Sequence, residues 1–107
     1  MSWTLILVGV IFAAAGMMLK LKPPKEINPI YGYRTKRSMS SNYLWKMGQE
    51  EGGKNMAVSG CILIVLGLLM LVLTIPEWAE VLILIFSLIG TCVGIFVLTE
   101  RKLKQYE

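Results

Sequence analysis

The residues able to do specific chemistry lie in one polar stretch, 28–55, NPIYGYRTKRSMSSNYLWKMGQEEGGKN, set between long apolar runs. Arg34 stands between Tyr33 and Thr35, and a planar guanidinium there can clamp a carboxylate, a phosphate or backbone carbonyls; contact with lipid phosphate is its plainer use. Trp45 suits an interfacial anchor or a binding surface. Asn42 suits a helix cap better than a ligand. Catalysis has less to work with. The chain holds no histidine, Ser38, Ser40 and Ser41 have no evident activating partner, and no Gly-rich phosphate loop follows a strand. Glu50 and Glu51 are consecutive, so on a helix they diverge and suit a solvated face, or pairing with Lys46 or Lys54 at spacing four. Cys61 and Cys92 without histidine make a poor ligand set, and both read as small apolar packing residues at similar depth. No cofactor and no metal is expected. The chemistry is that of recognition, not of an enzyme.

The elements that must position this stretch are three runs, residues 3–19, 56–75 and 81–98, with no Asp, Glu, Lys, Arg or His in any of them. Roughly 17 to 20 residues of helix extend about 25 to 30 Å, the thickness of a bilayer's hydrocarbon core. A soluble bundle is a poor alternative, since its helices need a polar face. A cleaved signal peptide is suggested by Ala13, Ala14 and Ala15, but no Lys or Arg precedes the first run. The sequence therefore predicts an all-α membrane protein, one domain over 1–107, with three transmembrane helices and a motif-bearing loop at 20–55. With no ionisable group inside a span, there is no candidate proton relay. A small multidrug transporter would show a mid-membrane acid and a fourth span.

The formal charge of +4 is unevenly placed. Lys20, Lys22, Lys25, Arg34, Lys36, Arg37, Lys46 and Lys54 precede the second run, and Arg101, Lys102 and Lys104 follow the third. Segment 76–80 has only Glu77 and Glu80. The positive-inside rule then predicts a cell-membrane protein with the N-terminus and the 76–80 hairpin outside and the C-terminus in the cytoplasm. Basic residues beside membrane ends serve topology and contacts with anionic lipid, and no nucleic-acid module accompanies them, so direct nucleic-acid binding is not expected.

Gly9 and Gly16, seven apart with Ala13 beside them, give the first helix a small-residue stripe. Gly60 and Gly67 repeat it on the second, and Gly90 and Gly94 form a small-xxx-small pair on the third. A compact bundle is expected, with homo-oligomerisation as the other use of such a pair. Pro23 and Pro24 end the first helix, and segment 21–29 should run extended. A turn is expected at 31–33, with Gly32 tolerating angles other residues avoid. A short amphipathic cytoplasmic helix starting near Ser40, Ser41 or Asn42 would carry Met39, Tyr43 and Met47 on one face beside Leu44, lying on the bilayer or beneath the bundle. Gly52 and Gly53 would turn the chain into the second span.

The spaced set Asn28-x-x-x-Gly32-Tyr33-Arg34-Thr35, then Ser38-Met39, Asn42 and Trp45, resembles the signature of the SdpI family of bacterial membrane proteins. That family is named for an immunity protein against a secreted sporulation-delaying toxin. The motif covers about 20 residues, while the flanking spans match in placement only. Lys36 stands where proline is common, and Gly48-Gln49 where Ala-Asn is common. The resemblance implies an integral membrane protein that protects its cell from a membrane-active peptide toxin. In the founding member it also implies holding a cytoplasmic repressor at the membrane, and that member has further spans before this module. Asn28, Gly32, Tyr33, Arg34, Thr35, Ser38, Asn42 and Trp45 are then the residues for recognition or for the loop's shape. The partners implied are a peptide toxin, a cytoplasmic repressor and membrane lipids. Rival readings are a holin-like lesion protein, although holin loops are usually short, and an accessory subunit of a membrane complex.

Overall fold

The computed structural model describes residues 2–28 and 32–106, and among them all regular structure is helical: α1 (Ser2–Leu21), α2 (Asn42–Val72) and α3 (Glu77–Lys104). All three are long and apolar enough to cross a membrane, and large side chains such as Trp3, Leu7, Val72, Trp78 and Phe86 lie exposed on them. An outward hydrocarbon surface of this extent fits lipid as the solvent. The long axis of the molecule is 49 Å, close to the roughly 46 Å that 31 residues of helix would span. α1 stops where Pro23 and Pro24 remove backbone donors, and α3 starts directly after Pro76. Glu77 and Glu80 occupy the first turn of α3 and Arg101, Lys102 and Lys104 its last, both matched to the helix dipole.

The short helix and the second span expected as separate elements are one uninterrupted helix, α2. Its cap is Ser41, whose Oγ accepts from the Leu44 N–H at 3.1 Å; Asn42 is the first helical residue and is exposed. Gly52 and Gly53 do not turn the chain, because their missing side chains serve close approach. A Cβ on Gly53 would lie 2.7 Å from both Gly16 O and Lys20 N of α1, and one on Gly52 would lie 3.1 Å from Tyr33 Cγ. The buried face at this end is Leu44, Trp45, Gly48, Gln49 and Gly52; Tyr43, expected on the apolar face, points outward.

α1 and α2 form the tighter pair, and α3 lies against α2. Gly9 and Gly60 face one another across the first pair, a Cβ on Gly9 falling 2.7 Å from Gly60 O; Gly16 meets Gly53 and Ala57 one repeat further on. Gly67 is buried in the same helix. Toward the 73–76 turn, Leu5, Leu63 and Met70 form a core against which Val8, Phe12, Ile83 and Leu88 pack. Gly90 and Gly94 differ from the other glycines. A Cβ at either meets nothing within 4 Å, so the expectation that they pack a helix within the bundle is corrected. Cys61 and Cys92, expected to be buried, are both exposed free thiols on apolar stretches. Of the turn expected at 31–33, residue 31 lies outside the described residues, as does Pro29 at the end of the extended segment.

Candidate functional site

The loop after residue 32 folds back onto the polar ends of α2 and α3, and a single α2 side chain fixes its start. Gln49 Oε1 accepts from the Tyr33 N–H at 2.6 Å and its Nε2 donates to the Tyr33 carbonyl at 2.8 Å, so one amide satisfies both backbone groups of one residue. Gln49 is fully buried. Gly32 precedes this pairing with φ +106, where a Cβ would be strained and would lie 2.5 Å from Gln49 Oε1. Residues 35–38 then close a reciprocal turn. Ser38 Oγ accepts from the Thr35 N–H at 2.8 Å, and Thr35 Oγ1 accepts from the Ser38 N–H at 3.1 Å. The one Ser38 hydroxyl proton is shared between the Tyr33 and Thr35 carbonyls, both at 3.1 Å.

This turn aims three donors at Glu100 of α3. Tyr33 Oη donates to Oε1 at 2.7 Å, Thr35 Oγ1 donates to the same oxygen at 2.6 Å, and Arg37 Nη1 donates to Oε2 at 2.7 Å in an ion pair. Glu100 lies two residues beyond the apolar run that ends at Leu98. Burial alone would raise its carboxyl, but the hydrogen bonds from Thr35, Tyr33 and Arg37, with the charge of Arg37, outweigh that and hold it below the usual value. The Tyr33 hydroxyl is pushed well above the ordinary range, by burial first and then by the bond to and charge of Glu100, so it stays a donor. Immediately before Glu100, the buried Thr99 hydroxyl accepts from Asn55 Nδ2 at 2.9 Å, and about one turn after it the fully buried Leu103 reaches Gly48. Glu100, Thr99 and Leu103 together fasten the end of a helix whose apolar run has no buried residue.

The sequence-predicted residues thus divide. Gly32, Tyr33, Thr35 and Ser38 meet in the latch on Glu100. Trp45 is 1% exposed and its Nε1 donates to the Pro24 carbonyl at 2.8 Å, tying the end of the α1 linker to α2. It faces inward, not toward a bilayer surface. Asn28 and Arg34 pair with each other through Arg34 Nε and the Asn28 carbonyl at 3.0 Å, with Arg34 exposed; the Asn28 side chain donates to Glu26 O at 3.1 Å. Asn42 stays outside both groups. Sequence reasoning missed Glu100, Gln49, Asn55 and Thr99. Glu100 carried one readable signal: it is the sole acid on the last eight residues of the third helix, opposite a loop rich in cations. Gln49 stood out only as a departure from the family pattern, and nothing in its neighbours shows that it would pair with residue 33.

Two clefts flank the latch. One of about 620 Å³ is walled by Arg34, Lys36, Arg37 and Ser40 above Phe96, and one of about 310 Å³ by Phe12, Leu19, Met56, Cys92 and Ile95. Among the described residues no group of His, Cys, Asp or Glu could hold a metal ion.

Three apolar helices with a polar loop latched across one end define a multi-pass membrane protein. The chain belongs to the SdpI/YfhL protein family, whose model matches residues 25–99, from the linker after α1 through the donor turn of the latch and α2 to Thr99 of α3, the residue before Glu100. It is 40% identical over 97 residues to a Bacillus subtilis (strain 168) protein described as uncharacterized protein YfhL, covering 90% of this chain and 82% of that one. No solved structure matches the chain.

Proposed function

We propose that this protein is an integral-membrane immunity factor that protects its cell against a membrane-active peptide toxin, acting by binding and without catalysis. The observation that carries the reading is the family match over residues 25–99, taken with the immunity role that the SdpI resemblance implies. The geometry supports a binding role in one specific respect: the hydroxyls of Tyr33 and Thr35 are spent on holding the loop to α3 and that of Ser38 on closing the loop's own turn, not on forming a nucleophile and base pair. The basic segments support an orientation with the loop and C-terminus in the cytoplasm and the 76–80 hairpin outside. α3, whose apolar run lacks buried residues, is then the span best able to meet a peptide in the bilayer, and the latch on Glu100 conveys its position to the cytoplasmic loop. A repressor or other regulator on that side would read the loop's outward face.

The test is expression in a toxin-sensitive strain. Survival should rise with membrane-localised protein, and no gain at verified expression overturns the immunity reading. Loss of viability on induction alone would instead indicate a lesion-forming protein.

A further inference from the structure

The two clefts beside the latch share walls. Arg34 and Phe96 line both the cationic cleft and the apolar one, so the pair forms one amphipathic trough with Arg34 at the junction. We propose that this trough holds an anionic phospholipid, its phosphate against Arg34 and Lys36 and one acyl chain along Phe12, Met56 and Ile95.

Charge complementarity selects the head. The polar limb carries three cations and one carboxylate, and that carboxylate already accepts from Arg37, Tyr33 and Thr35. The guanidinium of Arg34 and the ammonium of Lys36 are left as the surplus positive charge facing the cleft, a pairing suited to phosphate oxygens. The other limb selects the tail. Away from Tyr33 and Arg34 at the junction, its wall is Phe12, Leu19, Met56, Cys92 and Ile95, which offer only weakly bonding sulfur atoms, so a hydrocarbon chain enters with little loss while a peptide backbone would leave most of its N–H and C=O groups unpaired there. Position selects the source. Phe96 is 51% exposed inside the apolar run, and Glu100 lies one turn beyond it; the junction of the limbs therefore falls where a bilayer passes from hydrocarbon to headgroup. The occupant is thus an amphiphile that the membrane itself supplies, and the assignment rests on the lining of the trough alone and needs no toxin.

The experiment uses the purified full-length protein in detergent, with no toxin present. Phosphatidylglycerol, phosphatidylcholine of the same chains and inorganic phosphate are added separately, and lipid retention by native mass spectrometry and the thermal midpoint are read. Phosphatidylglycerol should be retained and should raise the midpoint, with little effect from either other addition. Lys36→Ala should weaken its retention on the order of fivefold with Lys36→Arg restoring it, and Cys92→Phe, which fills the apolar limb, should weaken it with every cation intact. Folding of each variant is checked by its helical circular dichroism without added lipid. Equal retention of the two lipids overturns the proposal, as does a full effect from inorganic phosphate, unaltered retention in both variants, or a co-purified peptide occupying the trough. None of these results bears on survival against toxin, so the immunity reading stands or falls separately.

Discussion

At the scale of single residues the loop is held by Glu100, Gln49 and Gly32. Removing the carboxylate with Glu100→Ala leaves the Tyr33 and Thr35 hydroxyls without their acceptor in a partly buried site and breaks the ion pair with Arg37, and the cost should be about 2 to 3 kcal/mol in reversible unfolding in detergent. A cost below about 0.5 kcal/mol would show the latch to be incidental. Because Glu100 titrates below the usual glutamate value of 4.5, its ionised form stabilises the fold at neutral pH. That contribution is complete above about the usual value and is lost as the pH falls through the lower folded one. Unfolding followed from pH 7 downward should therefore show stability falling in the acid range, with Glu100→Gln flattening the dependence. Gly32→Ala meets both a strained φ and the Gln49 amide, and should cost about 1 to 3 kcal/mol, read by the same unfolding assay.

At the scale of elements, glycines with similar spacing do different work. Gly16, Gly53 and Gly60 let the α1 and α2 backbones touch, whereas Gly90 and Gly94 face open space within the chain. Gly53→Ala should therefore destabilise by about 1 to 3 kcal/mol through overpacking. Gly94→Ala should be neutral or stabilising by up to about 1 kcal/mol, since helix propensity alone changes. Equal effects at the two sites would contradict the packing described. The Gly-Gly pair was legible as a special place in α2 but not as a continuous helix, because a glycine that breaks a helix and one that admits a neighbour look alike until the neighbour is known.

At the scale of the molecule, α1 and α2 form a close hairpin and α3 is secured chiefly beyond the membrane run, by Thr99, Glu100 and Leu103. Orientation is testable without touching that arrangement. In a background lacking Cys61 and Cys92, cysteine at Trp78 should react with an impermeant maleimide in intact cells, and cysteine at Lys104 only after permeabilisation. The reverse pattern would turn the protein over and place the loop outside.

The amino-acid sequence by itself determined the membrane class, the number of spans and the segment where specific polar chemistry gathers. Those follow from local quantities: the length of uncharged runs, the positions of proline and the clustering of cations. Tertiary structure alone decided that Trp45 faces inward, that Gln49 clasps the Tyr33 backbone and that Glu100 is the acceptor for the loop. Tyr33 and Glu100 are 67 positions apart, and no local period links them. Only the return of α3 alongside α2 brings a carboxylate to the donors that a tight turn had already aligned.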